Sequence, residues 1–314
     1  MNLCSTRTAL VVGLMLSFAN AYGSTQGISS VESKFNHFFA LTEQSIEMPQ
    51  PQRLAKIKAS YYSNFDQAAT PSKLAHLNDD DVALLYRAAE VAEFYLEEPA
   101  YLNDMEDTLQ ELESRKAATE DQRAAFFRAL IGLRRFQTAA EYFGAHPSIR
   151  VEAVPKVAPL EKDLKQPIVY AVTKDAHSLR PEYVDVARGI HLIVVSHPLC
   201  AFSRRAMSVM ASDAELRPVL QYTTWLAPVD QRLNLDVVSA WNAQHSDTPV
   251  VIARRRSDWP MFDEWGTPHF YLFRDGRMIG DFAGWPLEGN RGNREKLVEL
   301  LTEGGLLQRS ANTK

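Results

Sequence analysis

The spacing of apolar residues changes once along this 314-residue chain, and that change constrains the fold more than any other feature. Before about residue 147, apolar side chains recur every three to four positions, which is typical of amphipathic helices. After about residue 167, short apolar runs alternate with helical patterns, as they do in α/β proteins. Prolines crowd the stretch between the two regions, at Pro147, Pro155, Pro159 and Pro167. Because proline interrupts helices and sheets, we interpret this stretch as a domain boundary.

The chain is therefore expected to be an α+β protein of two domains, a number that also suits its length. The N-terminal domain, over residues 22–150, is expected to be all-α. A linker over residues 151–166 leads to an α/β sandwich with a central mixed sheet over residues 167–308, and residues 309–314 form a short tail. Within the sandwich, the apolar runs predict strands over residues 168–172, 190–196 and 220–226, and a hairpin around Asp275-Gly276. The composition of residues 249–253 also predicts a strand, or alternatively the start of a helix.

The start of the chain has the pattern of a secretory signal peptide over residues 1–21. A positive charge precedes an apolar stretch over residues 9–19 that is too short to span a bilayer, and Ala19-Asn20-Ala21 fits a cleavage site. We therefore expect an exported protein, periplasmic or extracellular, with no membrane span in the mature chain. Of the two cysteines, Cys4 leaves with such a signal peptide, so that Cys200 has no partner for an internal disulfide.

Two features bear on the partners of this protein. The formal net charge is −5 and no basic stripe interrupts the acidic balance, which argues against a nucleic-acid partner. In the first domain, a pair of predicted helices resembles a tetratricopeptide-type hairpin, which implies a surface for a partner protein. A non-repeat helical bundle explains the same pattern equally well. The residues that carry the resemblance are Leu130, Gly132, Phe136, Ala139-Ala140, Tyr142-Phe143 and Pro147.

Cys200 is the residue of greatest chemical interest, because it stands between a predicted strand and a predicted helix. The apolar run over residues 190–195 predicts a buried strand, and a helical pattern follows the cysteine. Backbone amides and the dipole at the start of a helix favour the thiolate, which is the nucleophilic form of the side chain. The alternative is that Cys200 is a small buried hydrophobic residue, as lone cysteines commonly are.

Two further segments follow in an order that narrows the fold. Gly266-Thr267-Pro268 precedes an apolar strand, and the hairpin around Asp275-Gly276 leads into a closing helix. Together with the Cys200 segment, they resemble the thioredoxin superfamily over about residues 165–307. The resemblance implies a thioredoxin-like α/β sandwich in which a cis-proline loop at Pro268 lies against the reactive cysteine. It also implies that Thr267, Pro268 and His269 border a groove for peptide substrates.

The sequence departs from the dithiol motif of that superfamily at one position. Where a second cysteine releases the substrate, this chain has Ser203. A hydroxyl cannot form a disulfide, so only monothiol exchange remains: Cys200 attacks a disulfide, and an outside thiol releases the mixed disulfide. Ser203 is then expected to donate a hydrogen bond to the thiolate, Arg204 to stabilise its charge, and His197 to transfer protons. Alternatively, Arg204 is a solvated side chain and His197 an ordinary turn residue.

We therefore predict a thiol–disulfide oxidoreductase or isomerase that acts on protein disulfides or small thiols and needs no organic cofactor. Isomerisation, reduction with an external thiol and deglutathionylation all suit this chemistry. No metal site is expected, since Cys200 with His197 or His269 offers too few ligands. The competing hypothesis is a non-catalytic protein-interaction or chaperone-like module in which Cys200 is incidental. A sulfur that is partly exposed and near Pro268 favours the catalytic hypothesis.

Overall fold

The computed structural model describes residues 29–160, 166–286 and 291–308. The predicted signal peptide and the predicted tail lie outside these residues, as does part of the predicted linker. Contacts between Cα atoms divide the chain into two compact units. Of the described residues, the helical unit contains 29–154 and 230–233, and the α/β unit contains the others.

The helical unit consists of α1 (Ser30–Gln44), α2 (Gln50–Phe65), α3 (Pro71–Leu74), α4 (Asp79–Leu96), α5 (Pro99–Ser114), α6 (Glu120–Gly132) and α7 (Phe136–Ala145). Polar side chains cap the starts of α4 and α6, where Asn78 and Thr119 accept backbone N–H groups of the first turn. Phe38 is fully buried and meets the rings of Tyr61 and Phe65 edge-on, with ring centroids 5.8 and 5.7 Å away. The N-terminal half is therefore helical, as predicted.

The α/β unit contains β1 (Lys156–Val157), β2 (Ile168–Val172), β3 (Ser178–Tyr183), β4 (Ile190–Val195), β5 (Thr223–Ala227), β6 (Val250–Ala253), β7 (His269–Arg274) and β8 (Arg277–Ala283). Its α-helices are α8 (Ala201–Ser212), α9 (Leu235–Gln244) and α10 (Arg291–Glu303). The strands form one eight-stranded sheet in the order β1-β3-β2-β6-β5-β4-β7-β8. The neighbours β4, β5 and β6 are parallel, whereas β7 is antiparallel to β4 and β2 is antiparallel to β6. The predicted mixed sheet is confirmed.

Three strands differ from the prediction: β1, which lies within the predicted linker, and also β5 and β3. The strand predicted over residues 220–226 begins only at Thr223, because Arg217–Tyr222 forms a 3-10 helix with Pro218 in its first turn. β3, like β1, has no counterpart among the predicted strands. It contains Pro181, which sequence patterns associate with loops, but β1 pairs only with the first two residues of β3. Pro181 therefore lies where β3 has no second neighbour and loses no ladder hydrogen bond.

Aromatic side chains from the segment over residues 256–265 pack against strand residues of the sheet, including Tyr271 on β7. We call Trp259, Phe262, Trp265 and Tyr271 the aromatic cluster; each is at most 7% exposed. The ring of Phe262 stacks on that of Tyr271 with centroids 4.0 Å apart, and the Trp259 ring stacks on Phe262 at 5.0 Å. Burial of these large rings anchors an otherwise irregular segment to β7.

Tyr271 also holds this segment through its hydroxyl. The hydroxyl donates to the Glu264 carbonyl at 2.7 Å and accepts the Glu264 N–H at 3.2 Å. Burial raises the pKa of Tyr271 well above its ordinary value, so the hydroxyl keeps its proton and its donor role at any physiological pH. Because Glu264 lies three residues before Thr267, these bonds hold the chain that leads into Thr267.

Arg294 on α10 binds two carboxylates that follow α8, with N···O distances of 2.6 Å to Asp213 and 2.7 Å to Glu215. The hydrogen bond from Arg294 lowers the pKa of Asp213. Such a group stabilises the fold above its unfolded pKa, and the contribution is lost as the pH falls through the folded value. We expect Arg294→Met to lower the free energy of unfolding by about 1 kcal/mol near neutral pH and by much less at about pH 3, measured by urea titration.

Arg180→Met is the matched control for Arg294→Met. Its ion pair with Glu182 has the same length of 2.7 Å, but the Arg180 side chain is 69% exposed. Exposed pairs contribute little, so we expect a loss below about 0.5 kcal/mol at either pH. An equal loss from Arg294→Met at both pH values would contradict the electrostatic assignment.

Candidate functional site

Cys200 lies at the junction of β4 and α8, as predicted. β4 ends at Val195, and Cys200 occupies the N-cap position of α8. The backbone N–H of Cys200 donates to the His197 carbonyl at 2.9 Å, and its carbonyl accepts the Arg204 N–H at 3.0 Å. The backbone of the cysteine is therefore held on both sides, and the amides of the first helical turn begin beside it.

The sulfur of Cys200 lies against the Thr267 backbone and is sheltered from solvent. Cys200 is 0% exposed, and its Sγ donates to the Thr267 carbonyl at 3.3 Å. A thiolate has no proton to donate, so this contact belongs to the protonated side chain. The sulfur lies near the loop at Pro268, which favours the catalytic hypothesis, but in this conformation it is not partly exposed, which favours the alternative of a buried structural cysteine.

Ser203 lies one turn along α8 and is fully buried. Its Oγ accepts the backbone N–H of His197 at 3.4 Å, a long hydrogen bond that ties α8 to the turn before Cys200. The hydroxyl proton remains available for a second partner, since one lone pair serves His197. The hydrogen bond with His197 therefore leaves the Ser203 hydroxyl able to donate to a Cys200 thiolate, and that donation stays a prediction.

His197 and Arg204 both bind the backbone of the turn. The Nδ1 of His197 accepts the Leu199 N–H at 3.1 Å, which places the proton of a neutral ring on Nε2. Arg204 is exposed, and its Nη1 donates to the Pro198 carbonyl at 2.7 Å. Both residues therefore hold the conformation of the turn. Their predicted roles in proton transfer and charge stabilisation stay predictions.

The predicted substrate-binding residues lie on the strand side of the site. The Thr267–Pro268 peptide bond is cis, and Thr267 is 3% exposed. His269 is 4% exposed; its Nε2 lies 2.6 Å from an Asp281 carboxylate oxygen and its ring stacks on Tyr271 at 4.2 Å. The contact with Asp281 joins β7 to β8. The predicted places of Thr267, Pro268 and His269 beside a substrate groove stay predictions.

Two features of the site are absent from the sequence prediction. Leu199, directly before the cysteine, is 51% exposed although it is large and apolar. The second feature is the aromatic cluster, which packs on the sheet and includes Trp265, two residues before Thr267. The aromatic and apolar run Trp259-Pro260-Met261-Phe262 could have indicated a buried segment. No rule based on neighbouring residues, however, predicts that such a run packs on a face of the sheet.

The described part of the chain contains neither a group of side chains that could hold a metal ion nor a helix that could cross a membrane. Within it, no group of three or more His, Cys, Asp or Glu side chains has the arrangement to hold a metal ion. No helix within residues 29–160, 166–286 and 291–308 combines the length and the apolarity that crossing a bilayer requires.

In comparisons with known proteins, no family model, no curated protein and no solved structure matches this chain. The class of protein is therefore defined by its fold and site: an α+β protein with a buried cysteine at a helix start, in contact with a cis-proline loop.

Proposed function

We propose that the α/β unit is a thioredoxin-like domain that performs monothiol thiol–disulfide exchange through Cys200. The topology supports this proposal: α8 connects the parallel neighbours β4 and β5, and the β7–β8 hairpin, antiparallel to β4, is followed by α10. One observation carries it. The contact of 3.3 Å between Cys200 Sγ and the Thr267 carbonyl puts a sulfur beside backbone with which a peptide can pair as an added strand.

The exchange proceeds in two steps that balance without a bound cofactor. The Cys200 thiolate attacks one sulfur of a substrate disulfide, forming a mixed disulfide, and the other sulfur leaves with the bond's electron pair and takes up a proton. A thiol from outside then attacks the mixed disulfide and restores Cys200. With two external small thiols, the substrate is reduced and the thiols are oxidised to their disulfide. With a thiol of the substrate itself, its disulfides are rearranged and no net electrons flow.

The buried sulfur makes movement of the turn over residues 197–200 part of the proposal. Attack on a disulfide needs the sulfur to leave the Thr267 carbonyl and lose its proton. The Arg204–Pro198 hydrogen bond holds the turn closed, and the exposed Leu199 is an apolar side chain that a docking substrate can cover. Substrate binding at Leu199 and opening of the turn are therefore coupled in this scheme.

The same burial favours a second candidate function, a protein-interaction or chaperone-like module in which Cys200 is structural. A fully buried thiol with a carbonyl acceptor is a satisfied core residue and needs no reactivity. In either case the helical unit is proposed to bind a partner protein, with α6 and α7 resembling a tetratricopeptide-type hairpin. Export to the periplasm or beyond belongs to the same proposal and rests on the signal pattern over residues 1–21.

Disulfide exchange is tested with oxidised glutathione on a Cys4→Ser variant, in which Cys200 is the remaining cysteine of two. We expect mass spectrometry to find one glutathionyl group on Cys200, formed in the folded protein faster than the protein unfolds. Reduced glutathione should remove it. A cysteine that reacts only at the rate of global unfolding would contradict the exchange proposal and support the second candidate.

Replacing Ser203 with cysteine is expected to change the product of this reaction. Cα atoms three residues apart on a helix lie about 5 Å apart, within the roughly 4.4–6.8 Å that disulfides span. The new thiol should displace glutathione from Cys200, so that an internal disulfide forms and the adduct does not accumulate. Ser208→Cys is the matched control: it is exposed on the same helix but about 12 Å from Cys200, and should carry its own adduct. A lasting adduct on Cys200 in Ser203→Cys would contradict the assigned geometry.

A further inference from the structure

The helical unit contains a cavity that is unrelated to Cys200. Its volume is about 540 Å³, and it lies between α6, α7, residues 149–153 and residues 231–233. That volume falls within the range of small-molecule sites, roughly 300–1,000 Å³. All of the lining residues belong to the helical unit.

One side of the cavity is apolar. Phe127 and Ile131 project from α6, Phe143 from α7 and Ile149 from the segment that follows. The rings of Phe127 and Phe143 meet edge-on with centroids 6.2 Å apart. Phe143 is nevertheless 39% exposed, so part of an aromatic face remains open to a ligand. These side chains suit an extended apolar chain rather than a polar metabolite.

The other side carries the guanidinium groups of Arg128, Arg150 and Arg232. Arg128 is half-buried, and among the described residues it makes no hydrogen bond or ion pair. Burial lowers the pKa of Arg128; the carboxylate of Glu90 partly offsets this effect, and the charge of Arg232 adds to it. A sheltered guanidinium next to a second cation is stabilised by an anion that accepts its hydrogen bonds.

Glu152, the acidic residue in the lining of the cavity, also binds the backbone of the cavity wall. Glu152 accepts the backbone N–H of Leu233 at 2.9 Å, and Gln231 Nε2 donates to Glu93 at 2.6 Å. Arg134 Nη1 donates to the Asp230 carbonyl at 3.0 Å. These bonds hold residues 230–233 in place, so this wall of the cavity is formed before any ligand binds. Three arginines and one glutamate leave the lining with a formal charge of +2.

We propose that this cavity binds an apolar chain that ends in a carboxylate. The carboxylate accepts hydrogen bonds from Arg128, with Arg150 and Arg232 beside it, and the chain lies against Phe127 and Phe143. Guanidinium groups bind carboxylates through two parallel hydrogen bonds, which gives the polar end its specificity. Free fatty acids and the C-terminal leucine of a peptide both present this chemistry.

The test is isothermal titration calorimetry on the whole protein with two pairs of probes. The first pair is decanoate and decanol, which differ in the carboxylate. The second pair is an acetylated tripeptide that ends in leucine and the same peptide with a C-terminal amide. We expect saturable binding of decanoate or of the free peptide and much weaker binding of its uncharged counterpart. Binding of decanoate would identify the ligand as a lipid-derived acid, and binding of the free peptide would identify it as the C-terminus of a peptide.

Variants then assign the binding to the cavity. Arg128→Met and Arg150→Met are expected to weaken binding by about tenfold or more, as loss of a charge-assisted hydrogen bond does. Phe143→Ala tests the apolar wall and, because the side chain is partly exposed, leaves the fold intact. Arg135→Met is the control, since Arg135 is exposed and does not line the cavity. No saturable binding in either pair, equal binding of the uncharged probes, or full binding by both arginine variants would overturn the proposal.

Discussion

We expect Cys200→Ser to abolish the proposed exchange with glutathione disulfides, with a fall in rate of at least about a hundredfold relative to the Cys4→Ser parent. A serine hydroxyl stays protonated at neutral pH and forms no disulfide, so neither step of the reaction remains. The fold should survive, because the serine Oγ also has a proton for the Thr267 carbonyl that Cys200 Sγ contacts at 3.3 Å. The measurement is the rate of reduction of a glutathionylated peptide by reduced glutathione, with and without the protein.

Ser203→Ala is the matched control for this experiment. It removes a hydroxyl one turn along α8 and a hydrogen bond to the His197 backbone, but it leaves the sulfur. We expect reduced exchange with Cys200 still able to form the mixed disulfide. If Cys200→Ser kept the exchange rate of its parent, Cys200 would not be the reacting residue. Of the two candidate functions, only the protein-interaction or chaperone-like module would then remain.

Replacing Phe262 with alanine should produce the largest loss of stability and, at the same time, a more reactive cysteine. Phe262 is 7% exposed and stacks on Tyr271 at 4.0 Å, so its truncation leaves a cavity in the aromatic cluster. Phe→Ala changes in such positions cost about 3–5 kcal/mol. Because the cluster holds the segment that leads into Thr267, we expect alkylation of Cys200 to quicken by at least about tenfold under folding conditions.

Tryptophan fluorescence reports this change in the α/β unit, because all five tryptophans lie in that unit. Tyr222→Ala is the control for Phe262→Ala, since it removes an aromatic ring that is 44% exposed. It should cost less than about 1 kcal/mol and leave the alkylation rate unchanged. A destabilised Phe262→Ala protein whose cysteine reacts no faster would show that the cluster supports the sheet but not the Thr267 contact.

Local patterns predicted much of the fold and part of the site. Helices in the first half, β4, the start of α8 and the β7–β8 hairpin all follow from spacings within about ten residues. The same is true of the placement of Cys200 at the N-cap of α8. The prediction was wrong at the start of β5, where residues 220–222 belong to the 3-10 helix Arg217–Tyr222 and not to a strand. It also missed β3, a strand that pairs with its neighbours although it contains a proline.

Contacts between distant parts of the chain account for what the patterns did not predict. The pairing of β2 with β6 joins residues about eighty positions apart, and no spacing rule selects it. Residues 230–233 follow β5 in the chain but belong to the helical unit, through bonds such as Gln231 to Glu93. The cavity with Arg128 exists only because of that long-range placement.

By itself, the sequence determined most of the helices and strands, where the change from helical to α/β structure falls, and that Cys200 begins a helix with a serine one turn later. Only the tertiary structure decided the strand order and the burial of Cys200 against Thr267, 67 residues further along. The physical reason is the range of the forces involved. Backbone hydrogen bonds and side-chain periodicity act between near neighbours, whereas solvent exposure of one sulfur depends on every segment that packs around it.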